Sequence, residues 1–234
     1  MGVLKRYITT AVILAAGSGS RMNVTKTKQT LDICGKSVMR RTLEAFDSAS
    51  CVDSIVLVCK SDEVQFAYSE IEGLNKTIKI IVGGKCRAES ARLGFLATPE
   101  DTEFVMIHDC ARCLVTLEDI NSVAEAAYLY GAATASTKVT DTVKKCDNSG
   151  MIATTVPRDG LRAVQTPQAF SCELYARALA LPDILYDTVT DDNMLMEKIG
   201  IPVFCVDTEK TNIKITTLSD IDLAEFILSK RECH

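Results

Sequence analysis

Residues 11–22 read Ala-Val-Ile-Leu-Ala-Ala-Gly-Ser-Gly-Ser-Arg-Met, an unbroken apolar run that passes directly into a glycine-containing loop. Runs of this kind are typical of strands buried on both faces of a parallel sheet. We predict a first strand over Thr10–Ala15. Because ligands of open α/β sheets bind beyond the carboxyl ends of the strands, the loop at Gly17 and Gly19 is the first candidate for a binding site.

The same type of segment recurs along the chain and alternates with helical patterns. Further strands are predicted over Ser54–Cys59, Ile78–Val82, Phe104–His108, Ala132–Thr137 and Val203–Val206. Apolar residues at helical spacing indicate helices over Ser37–Ala49 and Asp119–Tyr130. The pairs Thr116/Asp119 and Ser219/Asp222 have the spacing of helix-capping residues. This alternation predicts one α/β domain over residues 1–234, three-layered and Rossmann-like, with a mostly parallel sheet.

One segment departs from the alternation. Thr137–Cys146 and Met151–Val156 read as extended, and the turn residues Asp147–Gly150 separate them. We interpret residues 137–157 as a β-hairpin arm inserted into the domain. Since a two-stranded arm has too few neighbours to bury its own apolar residues, we expect a homodimer in which the arms are exchanged.

Composition narrows the classes of partner and compartment. The chain has 26 basic and 31 acidic residues, a formal net charge of −5, so nothing favours nucleic acid as a partner. No apolar stretch is long enough to span a bilayer. The first residues resemble a secretion signal, but their apolar run feeds into the glycine loop without a processing site. We therefore predict a cytoplasmic protein that does not associate with membranes.

Ten cysteines are scattered along the chain. Disulfide frameworks are concentrated in short secreted proteins, so we interpret most of these cysteines as small buried hydrophobes. Cys110 and Cys113 have Cys-x-x-Cys spacing with His108 beside them. A zinc site would need a further ligand, and a redox motif should open a helix rather than follow a strand. We favour neither metal nor redox chemistry for this pair.

The loop after the first strand fits neither of two common nucleotide-binding motifs. A dinucleotide fingerprint, Gly-x-Gly-x-x-Gly, would need glycine where Met22 stands, and the P-loop pattern, Gly-x-x-x-x-Gly-Lys-Ser/Thr, is also missing. The loop still offers glycine backbone to an anion, and Arg21 and Lys28 supply positive charge beside it. A nucleotide or another phosphate ligand is the expected occupant.

Several blocks together carry a family resemblance. AVILAAGSGSRM and KTKQTLDI resemble the signature of sugar-phosphate nucleotidyltransferases. The segments GGKCRAES (83–90), HDCAR (108–112), TPQ (166–168), TD (190–191) and NIK (212–214) extend the resemblance to the methylerythritol phosphate cytidylyltransferase family. Thr27, Cys113 and Thr211 stand where the family usually has proline, proline and aspartate, and Lys85 stands where many relatives carry an acid.

The resemblance implies transfer of CMP from CTP to 2-C-methyl-D-erythritol 4-phosphate, with release of pyrophosphate, in isoprenoid precursor synthesis. It implies Mg²⁺ or another divalent cation, with Asp109 as a metal ligand or ribose contact. The cations implied to act in catalysis are Arg21, Lys28 and Lys214. The implied nucleotide-binding residues are Ala15, Ala16, Gly17, Gly19, Gly84, Ser90, Asp109 and Ala111. The implied acceptor-binding residues are Arg112, Thr142, Thr166, Thr190, Lys214 and, from the arm of a partner subunit, Arg158.

Three other interpretations stay open at this point. The same chemistry could act on ribitol 5-phosphate or another polyol phosphate, because acceptor choice depends on a few side chains. A nicotinamide-dependent oxidoreductase would use a similar sheet, although Met22 argues against it. A non-catalytic nucleotide-binding protein is a third interpretation, which the retained cations Arg21, Lys28 and Lys214 disfavour.

Overall fold

The computed structural model describes residues 6–17, 27–182 and 184–232. Within these ranges the chain forms eleven strands and seven α-helices. The strands are β1 (Thr9–Leu14), β2 (Asp32–Ile33), β3 (Lys36–Ser37), β4 (Ser54–Cys59), β5 (Thr77–Val82), β6 (Phe104–Asp109), β7 (Ala132–Lys138), β8 (Val143–Cys146), β9 (Ile152–Val156), β10 (Arg162–Ser171) and β11 (Phe204–Asp207). The helices are α1 (Val38–Ser48), α2 (Val64–Ile71), α3 (Arg87–Leu96), α4 (Leu117–Tyr130), α5 (Cys172–Leu179), α6 (Asn193–Lys198) and α7 (Ser219–Glu232).

The described strands include a central sheet of seven, in the order β11-β7-β10-β6-β1-β4-β5. All neighbours in this sheet pair in parallel except β10, which is antiparallel to both β6 and β7. The predicted strands are present with ends shifted by a residue or so, and the predicted mostly parallel α/β fold is confirmed. β10 was not predicted, because Pro167 interrupts its pattern and its register shifts between Val164 and Gln168.

Apolar side chains from alternate positions of β1 enter two separate cores. Ala11 and Ile13 face one core, which α1, α2, α4 and α7 cover. Val12 and Leu14 face the other, which α3, α5 and α6 cover. Because successive strand residues point to opposite faces, a continuous apolar run is what a sheet covered on both sides requires. The predicted three-layer arrangement is confirmed.

Two helix starts test the predicted caps. The Thr116 hydroxyl accepts from the Asp119 amide, and the Asp119 carboxylate accepts from the Thr116 amide, so this predicted capping box is confirmed. The prediction that Ser219 and Asp222 cap a helix was wrong. Ser219 is already helical, and Asp220 instead accepts from the amides of Thr216 and Thr217.

The inserted hairpin is present as β8 and β9, which pair antiparallel. Its first strand is shorter than predicted, because Thr137 and Lys138 belong to β7 in the central sheet. Met151 and Ile152 expose 69% and 64% of their surface, so the hairpin leaves apolar side chains uncovered in the single chain. No helix in the described ranges has both the length and the hydrophobicity needed to cross a membrane.

Candidate active site

A cavity of about 500 Å³ opens beyond the carboxyl ends of β1, β5 and β6. This is the edge at which open α/β sheets bind ligands. The structure brings eight of the predicted site residues to its walls: Ala16, Gly17, Lys28, Gly84, Ser90, Asp109, Ala111 and Lys214. Gly19 and Arg21 lie outside the described residues.

Gly83 sits where two walls of the cavity approach each other. A Cβ atom at this position would lie 2.5 Å from Cβ of Ala16 and 2.8 Å from Oγ of Ser90. Real Cβ atoms do not come this close to other heavy atoms, so only glycine allows this approach. Gly83 therefore allows the chain after β5 to pack directly against Ala16, which follows β1.

Ser90 holds the loop between β5 and α3 in shape. Its Oγ accepts from the amide of Gly84 at 3.0 Å and donates to the carbonyl of Cys86 at 2.9 Å. The next amide, that of Lys85, donates to Oε2 of Glu89 at 2.6 Å. These bonds fix the Gly84 backbone at the cavity wall.

Positive charge dominates the described walls of the cavity. Lys28, Lys85, Arg87 and Lys214 line it, against the single described acid Asp109. Lys28 begins a 3₁₀ turn, Lys28–Thr30, which directs this residue to the cavity wall. The cations outnumber the acids even when Asp192, which pairs with Arg87 outside the cavity lining, is counted, and this favours a ligand with several negative charges, such as a triphosphate.

Asp109 is the last residue of β6 and pairs with two of the cations that line the cavity. Its Oδ1 accepts from Nε of Arg87 at 2.9 Å, and its Oδ2 accepts from Nζ of Lys214 at 2.6 Å. Burial alone would raise the pKa of Asp109, but Arg87 and Lys214 hold it well below its usual range. The carboxylate is therefore ionised at neutral pH.

His108 and the two neighbouring cysteines belong to the core. Burial lowers the pKa of His108 to about 3, so the ring is neutral at neutral pH. Burial raises the pKa of Cys110 well above its usual range and that of Cys113 to about 11, so both remain thiols. The predicted burial of these two cysteines is confirmed, whereas Cys34 and Cys146 are exposed.

Three predicted residues lie behind the cavity walls. Ala15 is buried, and its amide extends the sheet pairing through a bond to the Val58 carbonyl. Thr166 is also buried, and its Oγ1 accepts from the amide of Asp109 at 3.0 Å. Arg112 donates through Nη1 to the carbonyl of Asn212 at 2.8 Å, while its buried Nε has no hydrogen-bond partner among the described residues.

The other predicted acceptor contacts are exposed and lie apart from the cavity walls. Thr142 and Arg158 are on the hairpin segment, where Arg158 donates to the carbonyl of Thr140. Thr190 precedes α6 and donates to Sδ of Met194 at 3.1 Å. The single chain thus brings the predicted nucleotide residues together but leaves much of the predicted acceptor set dispersed.

Arg87 and Lys85 are cavity residues to which the sequence assigned no role. Both lie within the quoted block Gly83–Ser90, so the signal was present in the basic residues that follow the glycine pair. Nothing in the local sequence, however, pairs Arg87 with Asp109 and Asp192. Those partners come from two other parts of the fold.

Comparison with known proteins gives a consistent result. The sequence profile of a family described as 2-C-methyl-D-erythritol 4-phosphate cytidylyltransferase matches residues 9–230. A relative of that name from Pelotomaculum thermopropionicum is 40% identical over 225 residues, which cover 95% of this chain and 94% of the relative. Another, from Caldanaerobacter subterraneus, is 40% identical over 225 residues, covering 94% and 98%.

Solved structures agree with the sequence relatives. A 4-diphosphocytidyl-2C-methyl-D-erythritol synthase from Anaerococcus prevotii superposes with a TM-score of 0.84 at 31% identity, covering 97% of this chain and 98% of that one. A 2-C-methyl-D-erythritol 4-phosphate cytidylyltransferase from Thermus thermophilus superposes with a TM-score of 0.74 at 28% identity, covering 93% and 97%.

Proposed function

This chain belongs to the 2-C-methyl-D-erythritol 4-phosphate cytidylyltransferase family, and we propose on that premise that its cavity joins CTP to 2-C-methyl-D-erythritol 4-phosphate. The products are the CDP-sugar alcohol, an isoprenoid precursor, and pyrophosphate. The observation that carries the proposal is that Lys28, Lys85, Arg87 and Lys214 line one cavity together with ionised Asp109 and the glycine backbone at Gly84. Family membership also favours cytidylyl transfer over the oxidoreductase and non-catalytic interpretations.

The chemistry requires little beyond positioning and charge. An oxygen of the acceptor phosphate attacks the α-phosphorus of CTP and forms a new P–O bond. The bond between that phosphorus and the α–β bridging oxygen breaks, and pyrophosphate leaves with the electron pair. A phosphate monoester is already ionised, so no serine or cysteine nucleophile is needed. Lys28 and Lys214 supply positive charge to the crowded phosphorus and the leaving group; Arg21 is assigned with them from the family resemblance alone.

The residues at the cavity fit a magnesium ion. Mg²⁺ in nucleotide sites is typically held by one or two carboxylates together with substrate phosphates. Asp109 is ionised, and each of its oxygens accepts one hydrogen bond, which leaves lone pairs for a metal. We assign Asp109 as the protein's contribution to the metal site. When bound, the ion neutralises phosphate charge and helps to orient the triphosphate.

The acceptor side of the site is proposed to be shared between subunits. Arg112 is assigned to the acceptor site from the resemblance, as a residue of the same chain as the cavity, and its Nη1 donates to the carbonyl of Asn212. Thr142 and Arg158 are exposed on the hairpin segment. We assign both to the acceptor site of a partner subunit, which an exchange of hairpins would bring to the cavity. Thr166 and Thr190 are assigned to the acceptor site from the resemblance.

A homodimer follows from the same proposal. The exposed side chains of Met151 and Ile152 lie on a hairpin that pairs only with itself within the described chain. Covering such residues on a second copy would stabilise the arm through burial of apolar surface. We also propose a cytoplasmic location, which the nine free cysteines of the described chain support.

The proposal is tested by pyrophosphate release in the presence of CTP and Mg²⁺. Methylerythritol 4-phosphate and ribitol 5-phosphate are compared as acceptors at equal concentrations, with ATP in place of CTP as the nucleotide control. We expect release with CTP and methylerythritol 4-phosphate alone. Release with ribitol 5-phosphate alone would keep the chemistry and overturn the acceptor. Silence with both acceptors, from folded protein that binds CTP, would overturn the proposed transfer.

A further inference from the structure

Arg87 joins two carboxylates that belong to different parts of the fold. Its Nε donates to Oδ1 of Asp109 at 2.9 Å, and its Nη1 donates to Oδ2 of Asp192 at 2.7 Å. Lys214 extends the row from the other oxygen of Asp109. Charges of alternating sign therefore run Asp192–Arg87–Asp109–Lys214, from the start of α6 to the cavity.

Asp192 is held for this pairing rather than for capping its own helix. It stands at the N-cap position of α6, but its side chain makes no capping bond. Its carboxylate is fully buried and accepts from the Tyr175 hydroxyl at 2.7 Å as well as from Arg87. Its amide donates to Oε1 of Gln168 at 3.0 Å. A buried carboxylate with this set of donors has one defined orientation.

The geometry of Arg87 matches this bridging task. A guanidinium is planar and offers donors in a rigid fork, so it can serve two carboxylates in fixed directions at once. Burial alone would lower the pKa of Arg87, but Asp192 and Asp109 raise it above its usual range. Arg87 therefore keeps its positive charge while it bridges the two carboxylates. It also lines the cavity.

We propose that Arg87 is a positioning residue that ties Asp192 to Asp109 and keeps Asp109 paired when Lys214 turns to substrate phosphate. The inference rests on the proposed function, since it concerns how the same site releases its lysine. Lys214 exposes 42% of its side chain, whereas Asp109 exposes 12%. The lysine can therefore move, while the carboxylate remains buried.

Removing one partner of a buried ion pair leaves an uncompensated charge, which is strongly unfavourable. If Lys214 were the only side-chain partner of Asp109, its departure toward phosphate would remove the one cation that the described chain places on that carboxylate. Because Arg87 stays on Oδ1, the carboxylate keeps one cationic partner throughout, which it shares with Asp192. Asp192 in turn holds the guanidinium of Arg87 in place. The same bond keeps the neighbouring residues Thr190 and Asp191 at a fixed distance from the nucleotide side of the site.

The test uses the full-length protein and the variant Arg87→Ala, with Arg92→Ala on the same helix as the matched control. We expect kcat to fall by about 10- to 100-fold in Arg87→Ala, as for residues that orient a ligand of the reacting group. Guanidinium ion at millimolar concentration should restore much of the loss, while urea and potassium chloride should not. Arg92→Ala should keep the activity of the unaltered protein and show no response to guanidinium.

Amide hydrogen exchange provides a readout that does not depend on activity. The amides of Asp109 and Asp192 donate to Thr166 and Gln168, respectively. Arg87→Ala should lose protection at both amides together, and guanidinium should restore both. Unchanged protection of the Asp192 amide would overturn the coupling even if turnover fell. If the unaltered enzyme released no pyrophosphate, the proposed function would be overturned. Amide exchange would still test whether Arg87 couples Asp109 to Asp192.

If the alanine variant does not fold, Arg87→Lys tests the positioning role of Arg87. Lysine keeps the charge but lacks the planar fork, so we expect folded protein with lowered kcat and reduced protection at Asp192. The dissociation constant of CTP, measured by calorimetry, should change less than kcat does. Turnover equal to that of the unaltered enzyme in Arg87→Lys, or a folded Arg87→Ala that guanidinium does not rescue, would overturn the proposal.

Discussion

Nζ of Lys214 lies 2.6 Å from Oδ2 of Asp109, although the two residues are 105 positions apart in the chain. The backbone on both sides of the lysine is anchored near the end of β6. The amide of Ile215 donates to the carbonyl of Ala111 at 2.8 Å, and Arg112 donates to the carbonyl of Asn212. The lysine is therefore aimed at the cavity by its neighbours, while its own side chain stays half exposed.

Lys214→Ala should lower turnover by about 100-fold or more, by analogy with the loss of one preorganised transition-state donor. The change removes positive charge beside the proposed reaction centre and leaves Asp109 with Arg87 alone. Lys210→Ala is the matched control, since Lys210 is an exposed lysine of the same segment. Turnover is measured by pyrophosphate release at saturating CTP and acceptor. Equal turnover in the two variants would remove Lys214 from the mechanism.

Lys28→Ala tests a second lysine of the cavity wall. If this lysine stabilises the leaving pyrophosphate, turnover should fall by about 100-fold or more. Lys198→Ala, at the exposed end of α6, serves as the control for loss of a lysine elsewhere. Kinetics at saturating substrates separate this loss from weaker binding of CTP. A variant with raised KM and unchanged kcat would assign Lys28 to ground-state binding only.

Ile152→Asp tests the hairpin as a dimer contact. We expect the variant to sediment as a monomer at micromolar concentration and to lose activity, because burying the new carboxylate at an interface is unfavourable. Asn148→Asp adds the same charge at the exposed turn and should leave the dimer intact. Analytical ultracentrifugation of both variants and the unaltered protein makes the comparison. A monomeric unaltered protein that is fully active would contradict the exchanged-arm proposal.

Gly94→Ala tests how closely α3 packs on the sheet. Alanine would gain about 1 kcal/mol of helix propensity over glycine. Its Cβ, however, would fall well inside van der Waals distance of Cγ1 of Val12 and 3.0 Å from Cγ2 of Val58, on two buried central strands. Overpacking of this kind costs about 1–3 kcal/mol, so we expect a net loss of stability. Urea unfolding measures the change in stability, with exposed Leu96→Ala as the control. A gain in stability would show that the two strands shift enough to accommodate the added methyl group.

Asp47→Asn tests a carboxylate that joins α1 to the turn before β5. Asp47 accepts from the amides of Asn75 and Lys76 at 3.0 and 2.8 Å. Burial alone would raise the pKa of Asp47, but these donors lower it below its usual value. A lowered folded pKa stabilises the protein above the unfolded pKa, and the contribution is lost as pH falls through the folded value.

At pH 7 the free energy of unfolding of Asp47→Asn should therefore be lower by about 1.5–3 kcal/mol, the range for hydrogen bonds to a charged group. The difference should shrink as pH falls below about 4, the ordinary aspartate range. Exposed Asp101→Asn is the control and should show neither effect. Urea unfolding across this pH range makes the measurement. A difference that stays constant with pH would mean that the carboxylate charge is not involved.

The parts of the fold that could be read from the sequence are those that depend on local pattern. The run at residues 11–16 and its counterparts at Ser54–Cys59 and Phe104–His108 identify strands buried on both faces, and the structure confirms them. β10 was missed because Pro167 and a register shift break the periodicity that identifies a strand. Its antiparallel placement between β6 and β7 depends on pairing across the sheet, which no local pattern encodes.

The site divides in the same way. Glycines at 17, 83 and 84, the lysines at 28 and 214 and the strand-end Asp109 are visible in the sequence, because loops that approach phosphate need small residues and positive charge in short blocks. Arg87 stood in one of those blocks without an assigned role. Its bridge to Asp109 and Asp192 exists only because α3, β6 and the start of α6 meet at one place, where burial makes such charges interact strongly. The sequence by itself determined the family and the residue types of the site, and the tertiary structure decided which charges are paired.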